Sequence, residues 1–218
     1  MSDVMIRSFK PEDRAAVRRI CCDTADKGKP VEGFFRDREV FADLVTGYYT
    51  DHATEGIWVA QQGPAIVGYL TGCFDTRLYW RVMIARVIPS AFIRALGRGT
   101  FFQAPTWRVV WAGIRTFFYG GFQEKVLLED YPAHLHINLL SDARGQRVGE
   151  RLISGFIEQS KARGLKGVHL VTRSDNGGAR HFFERMGFLE IGRSSSALLG
   201  AGDREKIESV IYGLQLQL

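Results

Sequence analysis

The residues best suited to chemistry lie between His134 and Phe188. In the run Ala133-His134-Leu135-His136-Ile137-Asn138, the residues His134, His136 and Asn138 alternate. In a strand they share one face, and Leu135, Ile137 and Leu139 take the other. Histidine titrates near neutrality, so a pair on one strand face is a candidate proton acceptor. The competing reading is two hydrogen-bonded core residues. Just downstream, Arg144-Gly145-Gln146-Arg147-Val148-Gly149 leads from this strand into a long amphipathic helix. A strand that feeds a helix through a turn of glycines and cations offers orphan backbone N–H groups and the positive end of the helix dipole to an anion, above all a phosphate. Gly145 and Gly149 let the backbone approach closely, and Arg144 and Arg147 add charge.

Several elements must position these residues. The spacing predicts a helix over 148–163, with Val148, Leu152, Ile153, Phe156 and Ile157 on one side and Gly164 as its stop. A strand follows over 167–172, then a short helix over 178–185 ending at Gly187-Phe188. Two last strands, over 188–192 and 209–217, flank a Ser/Gly-rich turn at 194–202. Upstream, a strand at Met5-Ile6-Arg7 precedes a helix opened by Pro11, with Ala16, Val17 and Ile20 on one face. A loop at Asp26–Pro30 leads to a second helix over 36–49. Strands over 57–60 and 65–74 are joined by the turn Gln61-Gln62-Gly63-Pro64.

Residues 76–130 break this rhythm. The segment is rich in aromatics and reads as short helices broken near Pro89, Gly97-Arg98-Gly99 and Pro105. From Thr76 to Leu128 it carries eight cations against Glu124 alone, although the whole chain has a formal charge of only +5. One reading is a helical insertion that packs on the sheet and covers an edge; the other is a lid or dimer surface beside the ligand site. The expectation for the chain is an α/β (α+β) fold in a single domain over 1–218, with a mixed, mostly antiparallel central sheet flanked by helices. The helical insertion follows the third strand.

Hydrophobic content of 45% and charged content of 24% are those of an ordinary globular protein. Three cysteines, Cys21 and Cys22 adjacent, make no disulfide framework, so a reducing, cytoplasmic setting is expected. No uncharged run approaches the ~18 residues of a membrane span, and the cations form no nucleic-acid reading module. No membrane, nucleic-acid or metal partner is expected; a homodimer is compatible with the sequence.

Arg144 to Gly149 resembles the pyrophosphate-binding pattern of the GNAT-superfamily N-acetyltransferases: Arg or Gln, two residues, Gly, one residue, then Gly or Ala. The run from Asn176 to Phe188 resembles the helix that follows it in that family. The resemblance implies acetyl-CoA as co-substrate, with acetyl transfer to a primary amine, on a small molecule or lysine-like, in a ternary complex. It implies cofactor contacts from Leu139, Leu140, Ser141, Arg144, Gly145, Gln146, Arg147, Val148, Gly149 and Glu150, and from Asn176, Ala179, Phe182 and Phe183 across the cleft. An N–H of Leu139, Leu140 or Ser141 would polarise the thioester carbonyl. The AHLH of residues 133–136 is similar to that of arylalkylamine N-acetyltransferases, where two strand histidines relay the amine's proton, so His134 and His136 are the catalytic candidates, His134 first. Tyr131 to Ile137 also resembles bacterial relatives of the acetyltransferase-like domain at the C-terminus of O-GlcNAcases, some of which are regarded as pseudo-enzymes. Two departures stand out. Arg147 occupies the first glycine's place, which implies either a different turn or a phosphate-binding side chain. Phe183 occupies the place of a tyrosine that serves many members as general acid. A non-catalytic acyl-CoA-binding module is the alternative. The loop at Asp26–Gly33, the last hairpin and the insertion are expected to set the acceptor.

Overall fold

A computed structural model describes residues 3–100, 128–195 and 208–216 of the chain. Its centre is one seven-stranded sheet in the order β1-β2-β3-β4-β5-β7-β6. The strands are β1 Val4–Ser8, β2 Ile57–Gln62, β3 Ala65–Cys73, β4 Ala133–Leu139, β5 Gly167–Arg173, β6 Leu189–Ser195 and β7 Glu208–Gln215. Neighbours pair antiparallel except β4 and β5, which are parallel. The expected mixed, mostly antiparallel sheet is present.

Helices cover both faces. On one lie α1 Arg14–Asp23 and α2 Arg38–His52, with Val17, Ile20 and Cys21 packed on Val59, Ile66 and Tyr69. On the other, the apolar stripe Val148, Leu152, Ile153 and Phe156 of a later helix meets Leu70, Leu135, Val168 and Leu170. Burying such stripes is the main stabilising term, at about 25 cal/mol per Å² of apolar surface. α2 starts two residues later than its periodicity suggests because Asp37 caps it, accepting from the N–H groups of Glu39 and Val40. All three cysteines are free and buried.

The first half of the insertion differs from expectation in two ways. Helices α3 Thr76–Val82 and α4 Ile88–Gly97 run on without a break at Pro89, joined by a π turn over Met83–Val87. Pro89 sits in the first turn of α4, where its missing N–H is tolerated. The wide turn before it, closed by the Ile88 N–H on the Met83 carbonyl, makes room for the ring. The break at Gly97-Arg98-Gly99 is found, with Gly99 at φ 67. The run also packs on α2, and not on the sheet alone. Met83 and Val87 meet Tyr48 and Tyr49, and Ala95 joins Val31, Phe35 and Val40. Two buried carboxylates of α2 hold it. Asp43 takes Arg94 at 2.5 Å and Arg18 at 2.7 Å, while Asp37 takes Arg98 at 3.0 Å and the Thr100 hydroxyl. The expected break at Pro105 and the turn at 196–202 lie outside the described residues.

Removing Asp43 strands the buried Arg18 guanidinium with only Glu39. Asp43→Ala is therefore expected to destabilise the protein by about 2–4 kcal/mol in urea unfolding. Arg94→Ala, at the half-exposed end of the same cluster, should cost under about 1 kcal/mol. Equal costs would contradict this division.

Candidate functional site

The site begins where the sheet opens. β4 and β5 pair only at Ala133–Val168 and His134–His169. Beyond that point β3 holds the far edge of β4 and β7 the far edge of β5, so the two strands diverge into a V. In the antiparallel β3–β4 ladder, backbone groups alternate between the partner strand and the opposite side. The Leu140 N–H is bonded to the Val67 carbonyl at 2.9 Å. Register then sends the N–H groups of His136 and Asn138 towards β3 as well, and those of Ile137 and Leu139 into the V. Of the expected donors, Leu140 commits its N–H to β3, and the register turns that of Leu139 into the V.

At the mouth of the V stands the N-terminus of α5 Val148–Ala162. α2, α3 and the later α6 Gly177–Arg185 have side-chain caps in Asp37, Asp75 and Asn176; α5 has none. Its first-turn donors, on Val148, Gly149 and Glu150, are thus left for a ligand. Arg147 occupies the N-cap with φ 56 and ψ 14, the left-handed conformation that suits glycine. The arginine substitution therefore leaves the turn in glycine's shape, at a backbone cost of about 1–2 kcal/mol, and leaves an exposed guanidinium beside the helix end. Gly149 is needed for packing, since a Cβ there would lie 3.0 Å from the Phe182 ring. Gly145, at φ 77, Gln146 and Ser141 are exposed in the same loop, and the Gln146 amide is bonded to the Asp142 carbonyl at 2.7 Å. Arg144 reaches back to the Leu139 carbonyl at 3.1 Å.

The other wall is α6. Asn176 caps it through its side-chain oxygen on the Ala179 N–H at 3.3 Å. Ala179 and Phe182 are half-buried beside the V, whereas Phe183 is buried against Phe188 and Tyr212. The loop after α1 is tied to this wall, with Lys27 on Asp175 at 2.9 Å and Arg173 on both Asp26 and Asp175. Lys27 is the second non-glycine residue with positive φ, at 51.

The two histidines differ sharply. His134 is buried and bonded at both ring nitrogens, Nε2 to the Tyr49 hydroxyl at 2.8 Å and Nδ1 to the Thr76 hydroxyl at 2.8 Å. Thr76 gives its one proton to the Pro132 carbonyl at 2.7 Å, so the network assigns the His134 proton to Nδ1 and leaves Nε2 to accept from Tyr49. Burial pushes the Tyr49 phenol up and the His134 imidazolium far down, keeping both neutral. His136 lies 6.0 Å from His134 between ring centres, with one face open to solvent. Protein crowds it on the other sides, and desolvation pushes it down to about 4. Water on the open face offsets part of that penalty, so the direction, neutral at pH 7, is the firm conclusion. A third ring, His169, lies 5.5 Å from His134 and is bonded through Nδ1 to the Tyr131 carbonyl at 2.9 Å; burial depresses it too. Sequence reasoning missed His169, Tyr49 and Thr76. A histidine inside an apolar strand was the available signal for His169; the other two have no local signature.

Residues 117–188 match the family model described as Acetyltransferase (GNAT) family. The chain also superposes on the crystal structure of SsHAT with a TM-score of 0.74 at 27% identity, covering 99% of this chain and 100% of that one. An N-acetyltransferase from Staphylococcus aureus Mu50 matches at a TM-score of 0.60 and 14% identity, over 99% and 100% of the two chains. So does yncA from Salmonella typhimurium, solved with its cofactor acetyl-CoA, at 0.59 and 15%, over 98% and 94%. The fold is that of the GNAT acetyltransferases. Within the GNAT fold, the V between β4 and β5 and the uncapped start of α5 are the features here with the geometry to take a ligand. The three depressed histidines border the narrow end of that V.

Those rings also set an acid limit on stability. The unfolded chain takes up protons below about pH 6.5 that the folded rings refuse, so stability is full above that pH and is lost below it. The loss is up to about 1.4 kcal/mol per pH unit for each of the buried rings, His134 and His169, and less for the solvent-facing His136. Unfolded-state carboxylates titrate only near pH 4, so pH 6.5 to 5 isolates the histidines. The melting temperature should fall steadily across that window, and less steeply in His169→Asn. A flat profile in the unmodified protein would show that the folded rings accept protons.

Proposed function

We propose that this chain is an acetyl-CoA-dependent N-acetyltransferase that moves an acetyl group to a primary amine by direct transfer in a ternary complex. The observation that carries the reading is the uncapped N-terminus of α5, flanked by exposed Arg144 and Arg147, at the mouth of a V lined by unpaired-edge backbone. Acetyl-CoA supplies an activated acyl thioester. The N–H groups of Val148, Gly149 and Glu150 suit its pyrophosphate, with Arg144, Gly145, Gln146 and Arg147 around them. The Ile137 and Leu139 backbone suits a pantetheine arm added like a strand, with Ala179 and Phe182 on the far side and the Leu139 N–H available to a developing oxyanion.

His136 is the better candidate for the base. It is open to solvent and neutral at pH 7, so it can take the proton that the acceptor nitrogen must lose. His134, closed off by Tyr49 and Thr76, suits a positioning role behind it, which reverses the order expected from the sequence. Phe183 carries no proton and packs in the core, so the departing thiolate would draw its proton from solvent; a thiol with a pKa of about 8.5 is a tolerable leaving group. That same buried Phe183 is what favours the second reading, an acyl-CoA-binding module without turnover.

Acetyl-CoA should bind in calorimetry at micromolar concentrations, and absence of binding at tens of micromolar, roughly −6 kcal/mol, would exclude both readings. Thiol release over a panel of amines separates them. For the enzyme, His136→Ala should lower kcat/KM by about 10²-fold or more, and the acid limb of the wild-type profile should fall below pH 6.5, towards about 4. An unchanged rate in His136→Ala would remove the base assignment.

Arg147→Gly tests the turn separately. Glycine fits the left-handed backbone, so the melting temperature should hold or rise. Affinity for acetyl-CoA should drop about fivefold or more if the guanidinium meets phosphate, each charge-assisted hydrogen bond contributing about 1.5–3 kcal/mol. Unchanged affinity would make Arg147 a bystander.

A further inference from the structure

The helical run from Thr76 to Gly97 carries six of the exposed large hydrophobic residues found among the described part of the chain: Leu78, Ile84, Ile88, Phe92, Ile93 and Leu96. The remaining two, Met5 and Leu189, lie apart on β1 and β6. The pattern along the run is regular. Met83, Val87, Ala91 and Ala95 recur every four residues and are buried. Ile84, Ile88 and Leu96 each follow one position later, about 100° round the helix, and Ile93, 69% exposed, extends the stripe outward. Arg77, Arg81 and Arg86 are exposed on the same run. The sequence has no acidic residue from Thr76 through Gln123. Arg94 and Arg98 turn instead to Asp43 and Asp37, which fixes the run on α2 and leaves the apolar stripe outward.

We propose that this face is a peripheral docking surface for an anionic lipid membrane, lying in the interface with its apolar stripe among the acyl chains and its arginines at the head groups. Three alternatives fit the observations less well. Spanning is excluded for the described helices, none of which is long and apolar enough to cross a membrane. Isologous pairing with a second copy would bring two copies of a run with no acidic residue from Thr76 through Gln123 face to face, and like charges across an interface are unfavourable. A nucleic acid would meet the arginines but leaves aliphatic side chains such as Ile88 and Ile93 without a counterpart. An exposed, roughly 30 Å long apolar strip accompanied by cations matches an amphipathic interfacial helix. This departs from the expectation of no membrane partner, because the outward stripe follows from which face α2 buries, and periodicity alone does not reveal that.

The geometry links this surface to the cleft. Tyr79 of α3 lies 4.7 Å from the His134 ring, centre to centre, so a docked helix would hold the histidine end of the V close to the lipid. The inference itself rests on the exposed face and its charge, and stands independently of acetyl transfer.

Vesicle co-sedimentation of the full chain at low salt tests it, comparing phosphatidylcholine with phosphatidylcholine containing about 30% phosphatidylserine. The expected result is binding to the anionic vesicles at least about tenfold tighter than to the zwitterionic ones, and its loss towards 1 M salt, where the Debye length is about 3 Å. Arg81→Gln and Arg86→Gln should each weaken partitioning about fivefold. Ile88→Glu/Ile93→Glu, both at exposed positions, should weaken it by tenfold or more with an unchanged melting temperature. If that double variant fails to fold, the arginine variants carry the test. No sedimentation with anionic vesicles, or sedimentation indifferent to all these substitutions, overturns the proposal. A dimer formed without lipid and dissolved by Ile88→Glu/Ile93→Glu would assign the face to a second copy and overturn it as well.

Discussion

β4 and β5 lie side by side for two residues and then separate, and the rest of the molecule is arranged around that parting. Parallel strands in a mixed sheet normally keep their ladder, because unpaired backbone groups are costly when buried. Here each strand is secured on its outer edge, β4 by β3 and β5 by β7, so neither needs the other beyond His134 and His169. The gap then exposes peptide groups already locked in extended form, and a ligand that pairs with them finds the ordering entropy already spent. α5 and α6 lie against the strands behind this gap, and at its wall a Cβ on Gly149 would come within 3.0 Å of the Phe182 ring.

Electrostatics divides the site into two zones. The mouth is cationic, with Arg144, Arg147 and the Lys27 loop near an uncapped helix end. The narrow end is neutral, with three histidines kept uncharged by burial, helped at His134 and His136 by the neighbouring rings. The two zones are joined by one strand, so the spacing between them is set by the rise of β4.

Much of this was legible in the chain. The period-2 run of β4 put His134 and His136 on one face, and the glycine and arginine loop marked a helix start able to take an anion. The different burial and bonding of the two histidines was not legible, because it depends on Tyr49 and Thr76, which come from two helices distant in sequence. The fate of Pro89 was misread because a π turn has no composition signature. Arg147 illustrates a different limit: the residue type left open either a different turn or a phosphate-binding side chain, and the backbone keeps glycine's conformation with the arginine in it.

The π turn at Met83–Val87 has one more implication, for phase. An α-helix turns by about 100° per residue, so one residue more or less rotates everything beyond it by that angle. Tyr79, upstream of the turn, meets the His134 ring, while Arg94 and Arg98, downstream, meet the carboxylates of α2. A straight α-helix through the same sequence would satisfy one set and swing the other away from its partners. The wide turn acts as a phase corrector between two anchors, and it lets one helical run be keyed to β4 at one end and to α2 at the other.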